Sequence, residues 1–218
     1  SSDVCSSDLE ALALYSRAAS ITGADTPASA FVDQGDIHYR LGNFRAAQAS
    51  LGMALRRKPS VNERARALSI MGSIASDQGA YREAQQILTK AFETIEGKEA
   101  SASTRATVLA SLGEVHWRLG NITKASNYLY RANDFASEVN NLDQGLFVLD
   151  RIATIALYDG KMDDAEAVLE DAYHSAVAAN HSERAMMLID SLGVLAREQR
   201  KLFLAETRFT QAIEIAYR

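Results

Sequence analysis

The sequence predicts an all-α fold in which helix–turn–helix hairpins stack into a solenoid. A unit recurs about every 40 residues along the 218-residue chain, and a supersecondary unit with a period of about 20–50 residues is typical of a solenoid. Within each unit, apolar or small residues follow the helical spacing i, i+3, i+4 and i+7. The chain has only two prolines, which is consistent with helix along most of its length.

Each copy of the unit contains a small anchor residue followed, twelve and nineteen residues later, by alanine. The anchors are Gly35, Gly72, Gly113, Ala153 and Gly193. The alanines are Ala47 and Ala54, Ala84 and Ala91, Ala125 and Ala132, Ala165 and Ala172, and Ala205 and Ala212. Small residues are expected where two helices cross closely, because a larger side chain would overpack the contact at a cost of about 1–3 kcal/mol. We therefore expect each anchor to face an alanine of its own second helix.

A turn is predicted seven residues after each anchor. Four copies have glycine there (Gly42, Gly79, Gly120 and Gly160), and the last copy has Arg200. Glycine just past a helix end adopts the left-handed conformation without strain. The predicted helices are roughly 28–41, 44–58, 62–78, 81–96, 100–119, 122–139, 142–159, 162–179, 182–199 and 202–217.

The segments 34–59 and 112–121 resemble the tetratricopeptide repeat (TPR), in which an apolar residue and Gly are followed by Ala, a large apolar residue, Ala and Pro. In the first segment the matching residues are Gly35, Ala47, Leu51, Ala54 and Pro59. The resemblance covers residues 10–218 and implies a right-handed superhelix. It divides the chain into a half repeat at 10–24 and full repeats at about 28–61, 65–98, 106–140, 146–180 and 186–218.

The 40-residue spacing is similar to that of the TPR variant found in bacterial signal-transduction ATPase regulators and in kinesin light chain. In that variant the extra residues lengthen the second helix and the following loop. The resemblance implies the sensor or scaffold region of a larger bacterial regulatory protein. The ATPase and DNA-binding motifs of those regulators are not found in this sequence.

The two ends of the sequence carry separate expectations. Residues Ser1–Leu9 resemble the in-frame translation of a sequencing-adapter oligonucleotide, and we expect them to be foreign to the repeat array and unpaired with it; a natural polar tail is the alternative. Glu10–Ala18 matches a second helix of the repeat, and Ala212–Arg218 still has apolar residues on two faces. We therefore expect an internal part of a longer array.

Composition argues against several classes of function. The formal net charge of −5 speaks against a nucleic-acid partner, which usually needs a basic face. No apolar run approaches the roughly 18 residues that cross a membrane, so we expect no membrane partner and a cytoplasmic protein. Cys5 is the only cysteine, and paired histidines or cysteines at metal-binding spacing are not found. We expect no catalytic residue, no cofactor and no metal site.

The expected function is recognition of a protein or peptide partner, because the TPR resemblance implies that the first helices line a concave groove. The groove-facing columns give the candidate partner-binding residues Asp36, Tyr39, Arg40, Glu114, Trp117, Arg118, Asp150, Tyr158, Asp190 and Arg197. Tyr39 and Trp117 fit packing between adjacent first helices equally well. A catalytic α-solenoid with an acid/base site in the groove and an RNA-binding helical repeat remain alternatives.

Overall fold

In the computed structural model the described residues are 2–97, 99–139 and 141–217, and the side chains of residues 2–6, 16, 18–20, 22 and 24 lie outside the description. The chain divides into two compact units, one running to Val115 and the other starting at His116, so the division falls within a helix. Each unit is described by itself.

The described residues form α-helices and one short 3-10 turn, with no strand among them. The helices α1 to α11 are Ser2–Thr22, Ala28–Arg40, Phe44–Arg56, Val61–Asp77, Tyr81–Ile95, Ala102–Arg118, Ile122–Glu138, Leu142–Tyr158, Met162–Ala178, Ser182–Glu198 and Leu202–Ala216. The ten predicted helices correspond to α2–α11, with every end within two residues of its predicted position. The all-α prediction is thus confirmed.

Sequential helices pack as hairpins within each unit. In the first unit α2 packs on α3 and α4 packs on α5, while the first helices α2 and α4 also touch each other. In the second unit α8 packs on α9 and α10 packs on α11, and the first helices α8 and α10 are again neighbours. First helices of successive hairpins therefore lie side by side, which places their side chains on a shared surface.

The extra length of the repeat lies in both helices of a hairpin. Helices α2 and α3 have 13 residues each, whereas α6 to α10 have 17 each. From α6 onward the helices begin 20 residues apart. The expectation of a longer second helix and loop was therefore incomplete, because the first helix also gains about one turn.

The turn residues adopt the predicted left-handed conformation. The φ angles are 73° at Gly42, 78° at Gly79, 77° at Gly120, 78° at Gly160 and 61° at Arg200. The N–H of Arg200 donates to the carbonyl of Arg197 (2.9 Å). The next N–H, of Lys201, donates to the carbonyl of Ala196 (2.9 Å), which completes a Schellman turn. Arg200 thus makes the same turn as the glycines despite its side chain.

The anchor glycines lie against the large residue sixteen positions later, and not against an alanine side chain. A Cβ placed on Gly72 would stand 2.5 Å from Cγ of Leu88, and one on Gly193 would stand 2.6 Å from Cε1 of Phe209. Both distances are far shorter than the 3.5–4.0 Å of carbon contacts. The expectation that anchors face alanine was wrong for Gly72 and Gly193, whereas a Cβ on Gly35 would stand 2.6 Å from Leu51 and also 3.5 Å from the carbonyl oxygen of Ala47. The residues twelve, sixteen and nineteen positions after the anchor share one face of the second helix. The large residue at the middle position fills the point where the two helices cross, and the alanines on either side of it are buried.

The N-terminal helix α1 contacts the first hairpin. Asp8 is buried and lies 3.0 Å from the guanidinium of Arg40, and the hydroxyl of Tyr15 donates to Asp33 at 3.2 Å. The expectation that residues 1–9 are unpaired is therefore wrong at Asp8, because helix α1 continues through this segment from Ser2.

Candidate functional site

In the first unit, Tyr39 joins the first helices α2 and α4. Its hydroxyl donates a hydrogen bond to Oδ2 of Asp77 at 2.9 Å. Burial of the ring, with a further contribution from Asp77, raises the pKa of Tyr39, so the phenol stays protonated and keeps its proton for this bond. Of the two interpretations of Tyr39, the geometry favours packing between first helices.

A small polar cavity adjoins this hydrogen bond. It measures about 30 Å³ and is lined by Tyr39, Ser73, Ser76, Asp77, Ser111 and Glu114. That volume accommodates about one water molecule, and it is too small for a peptide side chain. Glu114 therefore lies beside Tyr39, as its column predicted, but the space between them is not a ligand-sized site.

Asp36 and Arg40 lie one helical turn apart on α2. The guanidinium of Arg40 is 3.9 Å from the carboxylate of Asp36 and closer to Asp8. Burial raises the pKa of Asp36, an effect that Arg40 partly opposes. Arg40 is about half exposed, so this pair forms a charged edge of the first unit.

In the second unit, Trp117 stands at the centre of a stacked group. The ring centroids of Trp117 and Tyr158 are 5.4 Å apart, and the guanidinium carbon of Arg118 lies 4.6 Å from the Trp117 ring. Both separations suit attractive aromatic and cation–π contacts. Tyr158 is nevertheless 69% exposed, so the group presents a large aromatic surface to solvent while it links α6 to α8.

A cavity of about 500 Å³ opens beside this aromatic group. Its lining includes Trp117, Tyr158, Arg197 and Glu198, the polar residues Arg151, Thr154 and Ser191, and an apolar part, which we call its floor, made of Leu157, Met162, Leu169 and Val194. Arg197 and Glu198 are about half exposed and lie 3.1 Å apart. The cavity has the size, the apolar floor and the few polar groups that binding sites share.

Asp150 and Asp190 are placed differently from the other candidates. Asp150 is buried and accepts hydrogen bonds from Arg151 at 2.5 Å and from Ser191 at 2.7 Å. Asp190, one repeat later, is exposed. Both line a separate cavity next to α11. Three of the ten candidates, Trp117, Tyr158 and Arg197, therefore share the 500 Å³ cavity.

Several residues that make contacts at this site were not among the candidates: Arg151, Ser191 and the Asp143–Arg184 pair. Arg184 donates to both oxygens of Asp143, at 2.6 and 3.1 Å, and so links α8 to α10. The partners in each link, Asp143 with Arg184 and Asp150 with Ser191, are 41 residues apart, one more than the repeat spacing. A search for complementary residues at that separation would have found them.

The described residues contain no group of three or more His, Cys, Asp or Glu side chains that could hold a metal ion. None of the described helices combines the length and the apolar character needed to span a membrane.

Taken together, the all-α hairpins, the left-handed turns and the paired first helices define the TPR fold. The chain is similar to BtubC (BKLC) from P. vanneervenii, with a TM-score of 0.70 and 16% identity over 98% of this chain and 89% of that one. It is also similar to a kinesin light chain structure with nearly identical TPR-like repeats from Podosopora anserina, with a TM-score of 0.63 and 13% identity over 86% of this chain and 94% of that one.

A further similar structure is a Rap protein complexed with Competence and Sporulation Factor, with a TM-score of 0.64 and 15% identity over 87% of this chain and 64% of that one. No family model matches the sequence, and no curated protein matches it at the sequence level. At these identities the likeness establishes the TPR fold.

Proposed function

We propose that this chain is a protein- or peptide-binding scaffold and that its second unit holds the partner in the cavity beside Trp117 and Tyr158. The observation that carries the proposal is the 500 Å³ cavity itself, which combines an apolar floor with two aromatic rings and an Arg–Glu pair at its edge. Tyr, Trp and Arg are the side chains that most often dominate binding energy at interfaces.

A structural neighbour supports the proposal. A Rap protein with the same fold was solved in complex with Competence and Sporulation Factor, so the fold can present a binding surface. The 40-residue repeat further supports a place in a larger bacterial regulatory protein, acting in the cytoplasm. The comparisons give no support to the catalytic and RNA-binding alternatives.

The partner would place an apolar or aromatic side chain on the floor of the cavity. Leu157, Leu169 and Val194 provide that floor, and burial of a large apolar side chain contributes about 1.5–3 kcal/mol. Flanking polar groups of the partner would then meet Arg197 and Glu198, whose charges are opposite and adjacent. The site therefore suits an amphipathic segment that is close to neutral where it contacts this rim.

The proposal is tested by selecting ligands from a displayed random-peptide library with the wild-type chain. Each selected peptide is then measured against Trp117→Ala, Arg197→Ala and the control Asp134→Ala, which changes an exposed residue of the second helix α7. We expect the first two variants to weaken binding by at least about 1 kcal/mol, with the control unchanged. Peptides that bind all four proteins equally, or the absence of any enriched peptide, would contradict the proposal.

A further inference from the structure

In the second unit, a cavity of about 170 Å³ lies between α7, α8 and α9, and we call it the α7–α9 cavity. None of the residues that line it lines the Trp117 cavity. Its lining combines apolar residues with an exposed aromatic ring and three exposed charged residues: Ile152, Ile155, Val168, Tyr130, Asp159, Lys161 and Asp164. The volume is below the range of about 300–1,000 Å³ that is typical of ligand pockets, so the cavity suits a single side chain of a partner.

The charged residues of the α7–α9 cavity are two carboxylates and one ammonium group. The ammonium of Lys161 lies 2.6 Å from the carboxylate of Asp159. This hydrogen bond raises the pKa of Lys161, and Asp164 adds a smaller effect in the same direction. Because two carboxylates act on a single ammonium, the cavity attracts a further cation and repels an anion. The Lys161 side chain is 61% exposed, so it can turn towards solvent when another cation enters.

The next hairpin shows how the equivalent groove is filled one repeat later. The counterparts of Tyr130 and Val168 there are Glu170 and Arg208. The guanidinium of Arg208 donates a hydrogen bond to the carboxylate of Glu170, and the Arg208 side chain is only 21% exposed. That groove therefore encloses a guanidinium group, whereas at the α7–α9 cavity Val168 is too short and too apolar to supply one.

The same comparison argues against an anion in the α7–α9 cavity. Glu166, the counterpart of Ser126, accepts a hydrogen bond from the side-chain amide of Gln199 at 2.8 Å. Asp159 occupies the position of Gln199 at the α7–α9 cavity, and it would repel a carboxylate that took the place of Glu166. The neighbouring groove is therefore a template for a guanidinium and not for a carboxylate.

We propose that the α7–α9 cavity binds an arginine side chain of a partner protein, in the place that the guanidinium of Arg208 takes one repeat later. The planar guanidinium stacks on the ring of Tyr130, and its N–H groups donate to Asp164 and Asp159. The methylene groups of the arginine contact the apolar part of the lining. A lysine side chain has no planar group that could stack in this way, so arginine is preferred.

The test follows the methyl signals of Ile152 and Ile155 by NMR while N-acetyl-arginine amide is added to the full chain. The blocked ends of this probe mimic an arginine within a partner's chain. We expect saturable shifts of both signals, with an affinity at least about threefold higher than that of N-acetyl-lysine amide, and no shift with N-acetyl-glutamate amide. A lack of saturable shifts, or equal affinities for the arginine and lysine probes, would overturn the proposal. Tighter binding of free arginine would assign the cavity to an amino-acid ligand and overturn it as well.

Four variants locate the binding of the arginine probe. Tyr130→Ala and Asp164→Asn should each weaken it by about two- to fivefold, as expected for exposed cation–π and ion-pair contacts. The matched control Asp163→Asn removes the same charge at an exposed neighbour that does not line the cavity, and it should leave the affinity unchanged. Lys161→Gln removes the competing ammonium and should strengthen binding, which a loss of folding could not do. Unchanged affinity in Asp164→Asn, or weaker binding in Lys161→Gln, would overturn the proposal.

Discussion

Trp117 on α6 contacts Tyr158 on α8, and their ring centroids are 5.4 Å apart. Tyr39 on α2 contacts Asp77 on α4 in the same register. Each pair joins the fourth residue after one anchor to the fifth residue after the next anchor. In one unit the register gives a hydrogen bond and in the other an aromatic contact. The same two columns therefore link adjacent first helices and also place aromatic rings at the surface where we propose that a partner binds.

The hydrogen bond between Tyr39 and Asp77 should contribute measurably to stability. Tyr39→Phe removes the donor and leaves the ring, so we expect the free energy of unfolding to fall by about 0.5–1.5 kcal/mol in urea denaturation. The matched control is Tyr130→Phe, at a residue that is 59% exposed, and it should stay within about 0.5 kcal/mol of wild type. Equal losses in the two variants would show that the contact is not stabilising.

The glycine anchors should not tolerate a large side chain where a large residue fills the crossing. Gly72→Leu places atoms where Leu88 already lies, so we expect a loss of roughly 1–3 kcal/mol. Gly52→Ala, inside α3, meets only the far end of Arg56, at 3.9 Å, and should gain up to about 1 kcal/mol from helix propensity. Thermal or urea unfolding measures both changes, and a stable Gly72→Leu variant would refute the close contact with Leu88.

The two turns at Gly160 and Arg200 form a matched pair for backbone strain. Their φ angles are 78° and 61°, and a left-handed conformation costs a residue with a side chain roughly 1–2 kcal/mol. Arg200→Gly relieves this strain, but glycine also gives the unfolded chain more conformational freedom, which offsets part of the gain. We therefore expect the free energy of unfolding to rise by up to about 1 kcal/mol. Gly160→Arg should lower it, and changes of the same sign in both variants would contradict this account.

His116 should make the second unit sensitive to mild acid. It is 4% exposed, and its ring stacks on the ring of Tyr128 with the two centroids 5.3 Å apart. Burial, with Lys124 adding a smaller effect, lowers the pKa of His116. Because the folded-state pKa lies below the unfolded value of about 6.5, the neutral ring's contribution to stability is present above about pH 6.5 and is lost as the pH falls through the folded-state pKa.

The substitution His116→Phe keeps an aromatic ring and removes the titration. We expect its free energy of unfolding to change less than that of wild type between about pH 7 and about pH 5. The comparison variant is His174→Phe, since the His174 side chain is 74% exposed and the change should leave the acid sensitivity intact. An unaltered pH profile in His116→Phe would remove His116 as the cause.

Helices and turns were predictable from the sequence because their signals are local. The glycines seven residues after each anchor set the helix ends, and even Arg200 was placed correctly by its position in the repeat. The partner of each anchor was not predictable. Ala84, Leu88 and Ala91 share one face of α5, and spacing alone does not say which of them reaches Gly72.

The grouping of the candidate residues also depended on packing. Contacts such as that between Asp150 and Ser191 follow the offset between neighbouring first helices, which a repeat spacing does not reveal. Asp150 and Asp190 share a sequence column, yet Asp150 is buried against Ser191 of the next first helix and Asp190 is exposed. The contact of Asp8 with Arg40 was likewise missed, because the first residues carry no repeat pattern.

The emission of Trp117 tests the proposed binding site most directly, because the chain has a single tryptophan and that residue lines the 500 Å³ cavity. A selected peptide ligand without tryptophan is titrated into the protein while its binding is followed independently by calorimetry. The account predicts a saturable shift of the Trp117 emission to shorter wavelength, with the affinity that calorimetry gives, because the ligand displaces water from the ring. Calorimetric binding that leaves the emission of Trp117 unchanged would contradict it.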